Sequence, residues 1–437
     1  MRRDIHKDLL EWKNSDDRKP LLLQGVRQCG KTYALKEFGK NNYDDVAYFT
    51  FEKNPLLHKV FQGDLDPQRL VEDLRLMREK KIEPGRTLII FDEIQFCNRA
   101  LTSLKFFCED APEYHVACAG SLLGVMLSKP YSFPVGKVDR LKMYPMTFKE
   151  FLLANSEDLL VEHIEENCPP RTHSEVVASK LAKYLDQFFL IGGMPAAVAS
   201  WIEKKDIGKV NKILGTIIED YKDDFAKHAP ESVAKLTLIW NSIPLQLAKE
   251  NRKFVFGHVK EGARAKDLED ALEWLVDAGL VYKVKKVDSP KMPLSMFVDN
   301  MSFKVYLADI GILRKMARVR PSFIFSEDKE HDIFRGAIME NYALNEIIPQ
   351  IEDVPYYWKS NAGAEVDFVA QIGDAEVPIE VKAGSNKSKS LMKFIEIYDP
   401  KVAVTTSPRR NVSSVVRHIP PYILWKLKDC VETNAKF

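Results

Sequence analysis

The rhythm of apolar and polar residues divides this chain into four stretches. Over the first 150 residues, short apolar runs alternate with segments of helical spacing. Leu21–Leu23, Asp45–Glu52, Leu88–Phe91 and Tyr114–Gly124 read as strands, with helices between them. Continuous apolar runs separated by helices are the pattern of a βαβ series with a buried parallel sheet. After Leu152 the strand signals stop, and about 154–229 read as helices. One interruption, FFLIGGMPAAVASWIEKKD (Phe188–Asp206), carries Gly192, Gly193 and Pro195. It predicts either a helix–helix corner or a loop facing a ligand.

From Pro230 the pattern changes again. ESVAKLTLIWNSIPLQLA reads as a helix, and Leu268, Leu272, Leu275 and Val276 mark one face of another. Gly279 stops that helix, and LVYKVKKV then alternates like a strand. Helix, glycine and alternating strand is the winged-helix plan. Its reading helix would carry Asp267, Glu269, Asp270, Glu273 and Asp277, and Lys249–Lys286 holds nine Lys/Arg against seven Asp/Glu. Acids there repel phosphates, so packing or protein contact is the expected role rather than major-groove readout. The last hundred residues give a helix over His331–Gln350, with Phe334, Ile338, Tyr342 and Ile347 near one face. A short strand over Pro355–Ser360 follows, then a hairpin turning at Gly373–Asp374. The expected domains are 1–153, 154–229, 230–320 and 321–437.

The chemistry begins at the first strand. KPLLLQGVRQCGKTYALKEFG (Lys19–Gly39) spells G-x-x-x-x-G-K-T over Gly25–Thr32, between a strand and a helix. This is the P-loop arrangement. Gly25 and Gly30 are expected to let the backbone bend around phosphate oxygens. The nucleotide-binding segment then comprises Gly25, Val26, Arg27, Gln28, Cys29, Gly30, Lys31, Thr32 and Tyr33, with the helix dipole adding to it. Lys31 would reach the β- and γ-phosphates, and Thr32 would ligate Mg²⁺. The strand in RTLIIFDEIQ (Arg86–Gln95) ends in Asp92 and Glu93. Two carboxylates there need a compensating partner, which Mg²⁺ supplies. Asp92 is expected to hold the ion's hydration shell, and Glu93 to orient and deprotonate the attacking water. Ser121 is either a γ-phosphate sensor or a turn serine. No guanine-reading motif stands in place, so ATP is the expected nucleotide.

These segments, GVRQCGKT, LIIFDEIQ, AGSLLG and SFPVGKVDRLKMYPMTFKEFL (Ser132–Leu152), resemble prokaryotic AAA-type ATPases that carry a C-terminal DUF4143 domain. The resemblance implies an AAA+ core with ATP between a three-layer α/β domain and a helical lid. It also implies a completing arginine from the lid or a neighbouring subunit, for which Arg140 and Lys137 are candidates by position. The expected fold class is therefore α/β: a P-loop AAA+ three-layer core with helical lid, a winged-helix domain and a C-terminal α/β nuclease-like domain.

In EVDFVAQIGDAEVPIEVKAG (Glu365–Gly384) the hairpin would bring Asp367 beside Glu380, with Lys382 on the same face as Glu380. Converging carboxylates and a lysine suit Mg²⁺-dependent phosphodiester hydrolysis, the acids holding the metal and the lysine positioning a water. Asp367 followed by Glu380-x-Lys382 resembles the PD-(D/E)xK nuclease superfamily, as DUF4143 domains do. The resemblance puts Glu340 in the place of the first-helix acid, so Glu340, Asp367 and Glu380 are the expected metal ligands. Glu380 and Lys382 are the expected catalytic pair. A strand carrying E-x-K as a plain ion pair is the alternative.

Composition narrows this. A length of 437 residues exceeds one core, while 45% apolar and 29% charged residues describe a globular chain. A net charge of +1 excludes a strongly basic surface over the whole chain, leaving KAGSNKSKS (Lys382–Ser390) and SPRRN (Ser407–Asn411) as local phosphate contacts or solvated loops. Cys29, Cys97, Cys108, Cys118, Cys168 and Cys430 form no CxxC pair, which suits reduced thiols. No secretion signal or spanning stretch is read, so the expected location is cytoplasmic, with no membrane partner. Two function classes lead, ahead of a transcription regulator acting through the winged helix, which the acidic reading helix disfavours. One is an ATPase coupling nucleotide hydrolysis to a DNA-cleaving nuclease-like domain. The other is a nucleotide-switched interaction protein, binding another protein or a second copy of itself through an inactive C-terminal domain.

Overall fold

The computed structural model describes residues 1–121, 134–166, 173–249, 252–320, 332–384, 388–408 and 416–432. The chain divides into two compact units, Arg2–Pro145 and, for nearly all the rest, Met146–Val276 with Leu280–Phe437.

In the first unit the apolar runs become β1 (Leu21–Gly25), β2 (Asp45–Thr50), β3 (Thr87–Asp92), β4 (His115–Ser121) and β5 (Asp139–Met143). They form one sheet in the order β2-β3-β4-β1-β5, and every pairing is parallel. Helices Lys31–Asn42, Pro67–Arg78 and Asn98–Asp110 pack on it. A parallel sheet covered on both faces needs strands that are apolar throughout, and β1 and β3 are buried at every position. Phe91 of β3 anchors one face, its ring centroid 5.8 Å from Phe51, 5.6 Å from Phe61 and 6.5 Å from Phe107. Aromatic edges meeting faces at these separations add to simple area burial.

The second unit opens with helices: Phe148–Ala154, Asp158–Glu166, Glu175–Ile191, Pro195–Lys204, Ile207–His228 and Val233–Leu247. The glycine interruption is a packed corner. A Cβ on Gly193 would lie 2.1 Å from the Met146 carbonyl oxygen, and one on Gly192 2.5 Å from Asp309 Oδ1. Asp309 accepts from the N–H of Gly193 at 2.6 Å and caps helix Ile310–Met316 through the N–H of Ile312 at 2.9 Å. Burial pushes its carboxyl up to about 6, against the pull of those N–H groups.

The winged helix expected over 230–320 is not confirmed. Helix Ala265–Asp277 forms and buries Leu268, Ala271, Leu272 and Leu275. Its following strand β6 (Val281–Val287), however, pairs antiparallel with β7 (Val298–Leu307) on one side and parallel with β8 (Tyr356–Lys359) on the other. With β9 (Glu365–Ile372), β10 (Ala375–Val381), β11 (Ala403–Thr406) and β12 (Val416–His418), they make one sheet, ordered β12-β11-β10-β9-β8-β6-β7. Both edges of β6 are used, and its apolar positions Val281, Val284 and Val287 are all buried. The hairpin β9–β10 turns at Gly373–Asp374, and β11 returns parallel to β10 after helix Lys389–Tyr398. Helix Asp332–Ile351 buries Ile338, Tyr342 and Ile347. Its wholly buried Asn341 accepts from the N–H of Leu307 at 2.9 Å and donates to the Leu307 carbonyl at 2.8 Å, closing the end of edge strand β7.

Candidate functional site

β1 delivers its chain to a loop that turns into helix Lys31–Asn42. Two residues sit in the left-handed region, Gln28 (φ 67°) and Gly30 (φ 100°), and these make the turn. Gly25 does not. A Cβ there would lie 2.2 Å from the carbonyl oxygen of Met143, its neighbour on β5, and 3.0 Å from Cys29 Sγ. The glycine at 25 thus serves the close approach of two strands, not the bend expected of it. Lys31 is buried, and its ammonium donates to the carbonyls of Gly25 at 2.9 Å and Val26 at 3.0 Å. Val26 and Cys29 are buried beneath the loop, while Arg27 and Tyr33 are exposed. Sequence reading missed Arg3. Its guanidinium donates to the Cys29 carbonyl at 2.9 Å and the Tyr144 carbonyl at 2.7 Å, tying the loop to the chain leaving β5.

β4 lies between β1 and β3, and its last residue, Ser121, is in register with Gly25. At the end of β3 the buried Asp92 accepts from Thr32 Oγ1 through Oδ1 at 2.8 Å. Its Oδ2 accepts from the Tyr48 hydroxyl at 2.7 Å, a partner with no local signature in the sequence. Glu93 follows in a left-handed conformation (φ 52°), hydrogen-bonded by Gln95. Burial raises the Glu93 carboxyl above its ordinary value; Gln95, Lys31 and Arg27 oppose this, and Asp92 adds to it. The hydroxyl and carboxylate gathered at Thr32 and Asp92 are hard oxygen donors, a set that fits Mg²⁺. Of the two completing cations suggested by position, Lys137 pairs with Glu109 at 2.9 Å, and Arg140 stands in β5 opposite Leu22.

The second cluster lies where β9 meets β10. Asp367 is one position beyond the Phe368–Ile379 pair, which sets it beside Glu380, and its Oδ2 accepts from the N–H of Val381 at 2.8 Å. Glu380 is 1% exposed; its Oε1 lies 2.8 Å from Lys382 Nζ, and its Oε2 has no hydrogen-bond partner among the described residues. Burial raises its carboxyl; Lys382 opposes the shift and Asp367 reinforces it.

Glu340 departs from expectation. It pairs with Arg252, accepts from the Tyr306 hydroxyl at 3.0 Å, and lies 4.0 Å from Lys304 Nζ. Lys304 is itself buried and sits 2.7 Å from Glu365. Burial works against its charge, but Tyr306, Glu365 and Asp367 outweigh that and raise its pKa. Among the described residues no three His, Cys, Asp or Glu side chains come together as a metal-holding group. Asp367, Glu380 and Lys382 converge, whereas Glu340 is paired with the half-buried Arg252 and lies near the buried Lys304. Residues 385–387 of KAGSNKSKS and 409–411 of SPRRN lie outside the described residues.

Comparison with known proteins matches residues 17–152 to a family described as an AAA domain. Residues 182–322 match a domain of unknown function, DUF8612, and 335–419 another, DUF4143. An uncharacterized protein of Methanocaldococcus jannaschii, MJ1544, is 24% identical over 358 residues, spanning 80% of this chain and 71% of that protein. Among solved structures, ORC1 of Aeropyrum pernix in complex with DNA is similar at 15% identity and a TM-score of 0.27, over 72% of this chain and 90% of that one. The Holliday junction branch migration motor RuvB of Thermotoga maritima is similar at 13% identity and a TM-score of 0.30, over 67% and 91%. Cdc6p of Pyrobaculum aerophilum gives 13% and 0.26, over 72% and 95%. At such scores the chain's own strand order, not the likeness, describes its fold.

Proposed function

Because the chain carries an AAA domain followed by a C-terminal DUF4143 domain, we propose that it is an ATP-binding, Mg²⁺-dependent ATPase that couples nucleotide hydrolysis to its C-terminal sheet domain. The observation that carries this reading is the 2.8 Å bond between Thr32 Oγ1 and Asp92 Oδ1, which joins the helix after the loop to the acidic end of β3. The loop N–H groups and Lys31 bind the phosphates, Lys31 exchanging its carbonyl partners for phosphate oxygens. Thr32 and Asp92 would hold Mg²⁺, which would supply positive charge to offset that developing on the phosphates. Glu93 takes the proton of the attacking water.

For the C-terminal domain we favour phosphodiester cleavage on DNA. Asp367 and Glu380 would be the metal-holding acids there, and Lys382 would position water and stabilise developing charge. The convergence of these three side chains supports it. One observation favours the other reading, an inactive interaction domain: Glu340 already has cationic partners in Arg252 and Lys304. Cleavage assays on plasmid, linear and single-stranded DNA, in Mg²⁺ or Mn²⁺ with and without ATP, separate the two. Loss of cutting in Lys382→Ala supports catalysis, and further loss in Lys31→Ala makes ATP its gate. ATP hydrolysis by a wild type that cuts nothing supports the interaction domain. Absence of ATP binding would refute the ATPase reading.

A further inference from the structure

The acidic end of β3 has a second support beyond the nucleotide loop. Thr32 and Lys36 are four residues apart on helix Lys31–Asn42, so they share a face. On β2, Tyr48 is two residues before Thr50, which pairs with Asp92, so Tyr48 and Thr50 point to the same side of the sheet. The Tyr48 hydroxyl reaches Asp92 Oδ2 at 2.7 Å, while Thr32 occupies Oδ1 at 2.8 Å. The ammonium of Lys36 lies 3.3 Å from the centroid of the Tyr48 ring, a cation–π contact that fixes the ring's place. A carboxylate held at one oxygen can still turn about its Cβ–Cγ bond. Held at both, it cannot.

We propose that Tyr48 is a positioning residue for the metal site of the ATPase: its hydroxyl clamps Asp92 so that the carboxylate faces Thr32, and Lys36 braces the ring. The inference rests on the ATPase reading, and it assigns the metal-dependent part of nucleotide affinity to a residue outside the loop and the acidic strand end. Outer partners of this kind are expected to change metal affinity by about tenfold when removed.

The test uses the full chain and a fluorescent, non-hydrolysable ATP analogue, titrated in EDTA and across a range of Mg²⁺ concentrations. Tyr48→Phe should bind the analogue in EDTA as wild type does and remain folded, with a thermal midpoint lowered by no more than the loss of one hydrogen bond. Its half-saturating Mg²⁺ concentration should rise about tenfold. Lys36→Met should raise it about threefold, since it loosens the ring and leaves the hydroxyl. A Tyr48→Phe midpoint for Mg²⁺ within twofold of wild type overturns the proposal. So does an equal loss of affinity in EDTA and in Mg²⁺, which would mark Tyr48 as part of the general fold. Failure of the wild type to bind the analogue at all is a different result; it removes the ATPase reading and this inference with it.

Discussion

Gly25→Ala is the sharpest test of how the nucleotide loop is built. The added methyl would sit 2.2 Å from the Met143 carbonyl oxygen, where ordinary contact begins at 3.4 Å. Gly25 and Met143 are register partners, so the strain falls on the β1–β5 ladder, and relief needs a separation of about 1.2 Å between backbones that cannot rotate away. Overpacking of this kind costs roughly 2 kcal/mol, within a range of about 1–3. For a unit of this size that lowers the melting midpoint by about 4–8 °C. The loop moves with the strand end, and the carbonyls of Gly25 and Val26 that receive Lys31 move too, so nucleotide affinity falls as well. The control is Gly63→Ala in the same unit, where the nearest atom to an added Cβ is 3.8 Å away; it should shift stability by less than about 1 kcal/mol. Thermal unfolding of both variants, with titration of a fluorescent nucleotide, gives the answer. If Gly25→Ala melts with Gly63→Ala and binds nucleotide like wild type, the close-approach account of Gly25 is wrong.

Two further outcomes follow from the two acidic clusters. Glu93→Gln should abolish ATP hydrolysis and keep ATP binding. Because burial raises the Glu93 carboxyl and a general base must be ionised, the acid limb of kcat/KM in the wild type should lie above the ordinary glutamate range; a limb at or below that range refutes the assignment. Glu340→Gln should cost about 1–3 kcal/mol, since the half-buried Arg252 loses its carboxylate while Lys304 keeps Glu365. Mn²⁺ affinity at Asp367 and Glu380, measured by calorimetry on the folded variant, should stay within about twofold; lost affinity at unchanged stability would make Glu340 a ligand after all.

What was legible in the sequence was local. β1 and β3 could be read because a fully buried parallel strand must be apolar throughout, and each ends where the chemistry does, at Gly25 or at Asp92. The β9–β10 hairpin was legible from Gly373 and Asp374 between alternating runs. Contacts distant in sequence leave no such period. Nothing near Gly25 announces Met143, nothing near Asp92 announces Tyr48, and Arg3 looks like any charged residue near a chain end. Gln28 takes a left-handed turn position without the glycine that would have flagged it. The pairing of β6 with β8 was hidden for the same reason: LVYKVKKV suits a wing or a sheet, and only its second neighbour decides between them. Glu340 was placed by the resemblance, which says nothing of Arg252 arriving from another segment.

The shared sheet also bears on how such a protein can be cut and recombined. The stretches matching DUF8612 and DUF4143 meet between 322 and 335, yet β6 and β7 lie before that junction and β8 after it, hydrogen-bonded in one sheet. A fragment beginning at 335 would expose the flank of β8 that β6 covers, and would part Glu365 and Glu340 from Lys304. Shuffling of this half between proteins, by evolution or by hand, therefore has to keep β6 and β7 with β8. The seam that sequence families draw is not one along which the polypeptide can be divided.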